Sequence, residues 1–273
     1  MYYFFNNKDT SGKEGCKMSK IIVCFLLFFM TAANAETAKI ILQFQSRPPY
    51  FIQDKLTSKL VDGELYHLIN KIMDDAKVPY EYEDMPITRA IYKIKQKNEK
   101  ICVASGFKTA ERESFSVFSL PIFQDKKSVI VIRKGDARFD TLDKAETIIA
   151  DQKLNLLVKL GFSYGVFIDG LLKKYKNYSS LDNGVQNALS LKYSTVDNNE
   201  MLNEIIKQKE DYMFMGGNEA SYLMKDEGLS KSLELKSLSD MPEGEKRYFM
   251  CSPIIDKETL EKINTSIKKF VKL

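Results

Sequence analysis

Lys39-Ile40-Ile41-Leu42-Gln43-Phe44 is a short apolar run that gives way to Arg47-Pro48-Pro49, and it opens the alternation that decides the fold. Proline cannot donate to a strand ladder, so the run reads as a buried strand stopped at the prolines. Leu65, Leu68, Ile69, Ile72 and Met73 then recur at the spacing of an amphipathic helix. His67 falls off that apolar face, which predicts a solvent-facing histidine rather than a ligand. Val78-Pro79-Tyr80-Glu81-Tyr82 reads as a second strand, and Ile87, Ala90, Ile91 and Ile94 mark a helix with Pro86 at its first turn. Ile101-Cys102-Val103-Ala104 reads as a third strand. Strand, helix, strand, helix, strand predicts a mainly parallel sheet covered by helices.

Toward the C-terminus the alternation resumes. Ser128–Ile132 reads as a strand, followed by a helix near 141–150, a strand over Leu154–Leu160 and a helix from Ser163 to Tyr175. Met201, Leu202, Ile205 and Ile206 line a further helix, Tyr212–Met215 and Arg247–Cys251 read as strands, and Leu260, Ile263, Ile267, Phe270 and Val271 line a closing helix. Without a long linker, repeat or low-complexity stretch, two α/β lobes fit the length.

Toward the N-terminus, Lys17 and Lys20 precede a ten-residue apolar run from Ile21 to Met30, and Ala33-Asn34-Ala35 supplies an A-x-A pattern. This is the layout of a secretory signal peptide, and the run is too short for the ~20 residues of a spanning helix. Met18 is an alternative start, because residues 18–35 make a complete leader. The small residues expected before a lipidated cysteine are missing ahead of Cys24, which argues against a lipid anchor. Cleavage after Ala35 removes four lysines and two acids, so the formal charge falls from +4 to +2. Cys102 and Cys251 then remain, which suggests one disulfide or, alternatively, two buried thiols.

Composition narrows the function. With 41 basic against 37 acidic residues, no nucleic-acid-binding surface is implied. A single histidine makes a Ser-His-Asp enzyme or a His-based metal site a poor fit, and no metal or cofactor is expected.

Four segments carry a family resemblance: Arg47-Pro48-Pro49-Tyr50-Phe51, Asp84-Met85-Pro86-Ile87-Thr88-Arg89-Ala90, Ser105-Gly106-Phe107-Lys108-Thr109-Ala110-Glu111-Arg112-Glu113 and Phe118-Ser119-Leu120-Pro121-Ile122-Phe123. In this order they resemble the landmarks of extracellular solute-binding proteins of family 3, and the likeness extends through Lys159–Leu172 and Glu210–Leu223. The resemblance implies an α/β, two-lobed periplasmic binding protein of the type II fold, closing by a hinge motion on a small polar solute. The boundaries expected are 1–35 for the signal peptide, 36–125 for the first part of lobe 1, 126–245 for lobe 2 and 246–273 for the return to lobe 1. In this fold the returning strand runs antiparallel beside the third strand, which would bring Cys251 to Cys102.

The resemblance also implies site residues. Arg112, in a T-x-x-R pattern, would hold the ligand's carboxylate, for which a guanidinium fork is suited; the alternative is a surface arginine paired with Glu111 or Glu113. Arg89 would sit near the cleft or form a structural ion pair, and Tyr50 or Phe51 would stack on the solute, the alternative of a lobe-1 core aromatic fitting Phe51 better than Tyr50. Ser105, Gly106 and Phe107 would offer backbone groups where α/β sheets place ligands, and Phe107, standing where a serine is common, suggests a less polar or larger solute. In lobe 2, Ser163 would cap a helix N-terminus that turns the N–H groups of Ser163, Tyr164 and Gly165 to the cleft. Asn218 or Glu219 would meet an amino group. Leu60 and Glu64 replace the family's usual glycine and aspartate around the first helix.

The function implied is capture of a small carboxylate-bearing solute, an amino acid or similar, in the periplasm by a monomer that delivers it to an ABC permease. Two alternatives share the architecture: a cyclohexadienyl dehydratase-like enzyme using Glu219, Lys108 or Glu111 as acid or base, and a sensory module that presents its ligand to a receptor.

Overall fold

The fold is that of a computed structural model of the chain, which describes residues 39–179, 190–225 and 227–273. The signal peptide read over residues 1–35 lies outside the described residues. In chain order the first elements are β1 (Ile40–Phe44), β2 (Ile52–Gln53), β3 (Leu60–Asp62), α1 (Glu64–Ala76), β4 (Tyr80–Asp84), α2 (Ile87–Gln96), β5 (Ile101–Phe107), the single turn α3 (Ala110–Glu113), β6 (Val117–Phe118) and β7 (Phe123–Gln124). There follow β8 (Val129–Arg133), α4 (Ala145–Ala150), β9 (Leu156–Lys159), α5 (Val166–Lys176), β10 (Leu191–Ser194), α6 (Asn198–Ile206), β11 (Tyr212–Met215), α7 (Gly217–Leu223), α8 (Glu227–Ser232) and β12 (Leu233–Lys236). The chain closes with β13 (Lys246–Cys251) and α9 (Lys257–Phe270).

These strands form two sheets. The first runs β4-β1-β5-β13-β6, with β7 also paired to β13, and the second runs β10-β9-β11-β8-β12. β1 is parallel to β4 and β5, whereas β13 enters antiparallel to β5. In the second sheet β9 is parallel to β10 and β11, and β8 is antiparallel to β11 and β12. The two α/β lobes expected from the alternation are therefore present, and the chain passes between them twice, after Gln124 and after Lys236. β2 and β3 form a separate ribbon.

The inner strands β1, β5, β8, β9 and β11 are buried on both faces, which is why they read as continuous apolar runs. Successive side chains still divide between the faces with period two. On β1, Ile40, Leu42 and Phe44 join the core shared with α1 and α9, while Ile41 packs on the α2 side. On β9, Leu156 and Val158 meet the α4 and α5 side, and Leu157 meets α6.

Cys251 lies directly opposite Cys102 in the β13–β5 register, with Cα atoms 3.9 Å apart, and the two form a disulfide. His67 is exposed and pairs with Asp62. The glycine sought at Leu60 is in place at Gly63 instead: it precedes α1 with φ 133, and a Cβ there would lie 2.1 Å from the Tyr50 carbonyl oxygen. Only glycine fits both conditions.

Candidate functional site

Ligands of open α/β sheets bind beyond the carboxyl ends of the strands, and the ends of four strands meet between the lobes. From the first sheet, β1 leads to Arg47 and Phe51, and β5 ends in Ser105, Gly106 and Phe107. From the second, β9 ends in Lys159 and leads to Phe162 and Ser163, while β11 leads to Glu219. These residues surround two adjoining cavities of about 60 and 30 Å³ that share Arg47, Phe107, Phe162, Ser163 and Arg247. The larger has room for roughly five waters at about 10–15 Å³ each.

Arg112 is only 3% exposed and lines the larger cavity. Thr109 caps α3, accepting the Arg112 backbone N–H at 3.2 Å, and this turn brings the guanidinium back under β5. Nη1 donates to the Phe107 carbonyl at 3.1 Å and Nη2 to the Gly161 carbonyl of the other lobe at 3.1 Å. Nε has no hydrogen-bond partner. The alternative of a surface pair with Glu111 or Glu113 is not what forms: both acids are exposed, and Glu113 instead pairs with Lys108 at 2.8 Å. Burial alone lowers the Arg112 pKa, against the weaker pull of Asp169. An arginine nonetheless stays charged, so the site holds a buried cation with no carboxylate against it.

Two further arginines are compensated. Arg47 meets Glu219 through Nη2 at 2.7 Å and Nε at 2.9 Å, and Glu219, 1% exposed, also accepts from Asn198 Nδ2 at 2.5 Å. Arg247, 2% exposed, donates from Nε to Asp125 Oδ1 at 3.0 Å and from Nη1 to the Ser105 carbonyl at 3.1 Å. Its Nη2 lies 2.6 Å from Asp125 Oδ2, an ion pair without hydrogen-bond alignment. The Arg247 guanidinium is stacked between Tyr50 and Phe107, 4.6 and 4.7 Å from the ring centroids.

Lys159 is the fourth cation. It is 6% exposed and lines the smaller cavity, with its ammonium 5.0 Å from the centroid of Phe162. Among the described residues no carboxylate or hydrogen-bond acceptor meets Nζ. Burial, then the Arg47 charge, lowers its pKa to about 8, against the opposing pull of Glu219, Asp197 and Asp84.

The residues singled out in the sequence fall in different places. Arg112, Ser105, Phe107 and Ser163 line the larger cavity, and Glu219 and Tyr164 line the smaller. Tyr50 lines neither: it is buried, its hydroxyl donates to Asp125 Oδ1 at 2.7 Å, and Phe51 occupies the cavity wall in its place. Arg89 is exposed on α2, outside both cavities. Ser163 does not cap α5. The helix starts later, at Val166, after Gly165 with φ 93, and the Val166 N–H donates to Glu245 at 2.8 Å. Ser163 Oγ and the Tyr164 N–H both donate to Asp169, and burial pushes this carboxyl up to about 6. The α5 N-terminus is thus occupied by the protein's own acids. Glu219 meets Arg47 and Asn198 rather than standing open to a ligand amine.

Arg47, Lys159, Arg247 and Asp125 were not singled out as site residues. A lysine ending an otherwise apolar strand was the one readable signal among them. Among the described residues no group of His, Cys, Asp and Glu is arranged to hold a metal, and no helix is long and apolar enough to cross a membrane.

No curated protein sequence matches the chain. Among solved structures, an ancestral arginine-binding protein bound to arginine superposes with a TM-score of 0.65 at 18% identity, covering 85% of this chain and 91% of the other. The amino acid ABC transporter substrate-binding protein AbpA from Streptococcus pneumoniae, bound to L-arginine, gives 0.63 at 16% identity over 86% and 89%. The ancestral amino acid-binding protein AncCDT-1, a precursor of cyclohexadienyl dehydratase, gives 0.62 at 18% identity over 86% and 89%. At such identities the likeness is one of fold, the two-lobed type II periplasmic binding architecture. The family model of bacterial extracellular solute-binding proteins, family 3, matches residues 41–272, so the chain belongs to that family.

Proposed function

We propose that this chain is a non-enzymatic periplasmic solute-binding protein that holds a small carboxylate-bearing solute between its lobes for uptake through an ABC-type permease. In this reading residues 1–35 are the signal peptide, residues 36–125 and 246–273 form lobe 1, residues 126–245 form lobe 2, and the mature chain works as a monomer. The observation that carries it is Arg112: a buried guanidinium in the wall of a cavity, bound only to carbonyls from both lobes, with an unpartnered Nε. A solute carboxylate there would receive charge-assisted hydrogen bonds. The arginine-bound and substrate-binding relatives support the class of ligand and the transport role.

The enzymatic reading finds less support. Lys108 and Glu111 lie outside the cavities, and Glu219 is held by Arg47 and Asn198. A thermal-shift screen of amino acids and small organic acids identifies the solute class, because a ligand at 100 times its Kd adds about 2.7 kcal/mol of stability. Titration calorimetry then tests the site. Losing one partner of a desolvated charge pair costs about 2–5 kcal/mol, so Arg112→Ala should weaken binding about 30-fold or more, and Arg112→Lys should recover part of the loss. Binding by Arg112→Ala within threefold of the parent, at unchanged Tm, would overturn the assignment. Turnover of prephenate or arogenate would overturn the non-enzymatic reading.

A further inference from the structure

The four cations between the lobes divide into two kinds. Arg47 is neutralised by Glu219 and Arg247 by Asp125, at 2.7 and 2.6 Å. Arg112 and Lys159 have no such partner. Asp169, ahead of Glu111, is the acid whose charge acts most on Arg112, but its oxygens accept from Ser163 and Tyr164, and no ion pair with the guanidinium forms. Burying an uncompensated charge costs far more than burying a paired one. Two such charges, one supplied by each lobe and lining two cavities that share Phe107, Phe162 and Ser163, describe a site completed by two negative charges.

We infer that the solute is a short dicarboxylate, with one carboxylate on Arg112 and the other on Lys159. This deepens the solute-binding reading and rests on it. The spacing favours a small molecule. The Gly161 carbonyl that accepts from Arg112 Nη2 lies two residues beyond Lys159, inside the turn that the Phe162 N–H closes on the Lys159 carbonyl at 3.1 Å. Between the two anchors the wall is aromatic: Phe162 lines both cavities and carries the Lys159 ammonium over its ring, and Phe107 also lines both. Such a wall suits the methylenes of a diacid. The lining offers no free acid for a solute ammonium, since Glu219 is engaged by Arg47 and Asn198, so an α-amino group adds nothing to recognition.

Titration calorimetry of the mature chain at pH 7 with succinate, glutarate and L-glutamate, set against butyrate and L-glutamine, tests this. The diacids should bind at least tenfold tighter than butyrate or glutamine, and glutarate should match glutamate within threefold. Lys159→Met keeps the stem and removes the charge; it should weaken diacid binding tenfold or more and leave butyrate within threefold, whereas Arg112→Ala should weaken both. Lys159→Arg should restore the preference for diacids, a rescue that a merely structural role would not show. Should Lys159→Met fail to fold, Lys159→Gln serves the same comparison. If glutamine binds as tightly as the diacids, or the preference survives loss of the Lys159 charge, the dicarboxylate inference falls and the solute-binding reading stands. If neither these solutes nor any of the twenty amino acids binds, both fall.

Discussion

Arg47 Nη2 and Glu219 Oε2 stand 2.7 Å apart, although 172 residues separate them, and the pair ties the end of β1 to the first turn of α7 in the other lobe. Burial works against the Arg47 charge, but Glu219's charge and hydrogen bond outweigh it and hold the guanidinium more firmly protonated than usual. Breaking a buried pair by removing one partner costs about 3–5 kcal/mol. Here that cost falls on the contact between lobes. Glu219→Gln should therefore enlarge the radius of gyration measured by solution scattering and weaken solute binding at least tenfold. A variant with the parent's scattering curve and affinity would show that the pair does not help hold the lobes together.

Gly161 of the second lobe packs closely against the first turn of α2. Its φ is 78, and a Cβ there would lie 2.6 Å from Thr88 Cγ2 and 3.0 Å from Ile87 Cγ2. Gly135 shares the backbone strain, with φ 73, but a Cβ there meets nothing within 4 Å. The two alanine variants separate strain from closure. Gly135→Ala and Gly161→Ala should each lose about 1 kcal/mol of stability, and only Gly161→Ala should also lose solute affinity, by tenfold or more. Equal affinities in calorimetry would show that the approach is not needed for binding.

The Cys102–Cys251 disulfide encloses a loop with a sequence separation of 149 residues, which includes the whole second sheet. On the chain-entropy account such a loop gives roughly 5 kcal/mol at the upper end, and removal of a native disulfide commonly costs about 2–5 kcal/mol. The double variant Cys102→Ala, Cys251→Ala should show a lower urea midpoint than the oxidised parent. The denatured mature parent should release no titratable thiol until it is reduced. Two free thiols before reduction would refute the bond.

Lys159 gives the pH dependence. Its pKa sits near 8, lowered first by burial and then by Arg47, while Glu219, Asp197 and Asp84 act in the opposite direction. A solute carboxylate would raise it, so binding takes up a proton once the free ammonium begins to lose its own. Affinity for a diacid should fall up to tenfold per pH unit above about 8. Lys159→Met should lack this fall. An equal fall in both proteins would place the titrating group elsewhere.

The fold was readable because its signals are local. Ile40, Leu42 and Phe44 fall on one face of a strand, Leu65 to Met73 on one face of a helix, and neither depends on distant chain. Arg112 was reached through the family resemblance of its T-x-x-R pattern, whose local content is the Thr109 cap on the turn that carries it. Arg247 was not, because its burial comes from Tyr50, Phe107 and Asp125 in three separate segments. The cap assigned to Ser163 failed on two counts that local pattern does not carry, the left-handed backbone at Gly165 and a carboxylate, Glu245, arriving from far along the chain.

The place of β13 between β5 and β6 also dictates an order of assembly. The second sheet is contiguous in sequence, running from Val129 to Lys236, and can complete itself as the chain emerges. The first sheet cannot. Its interior stays open, with the edge of β5 unpaired, until Lys246–Cys251, which follows the whole second sheet in chain order, is in place. The second sheet can therefore close while the first still lacks an interior strand. For all that time the exposed edge is the part of the chain most in need of protection from pairing with another molecule.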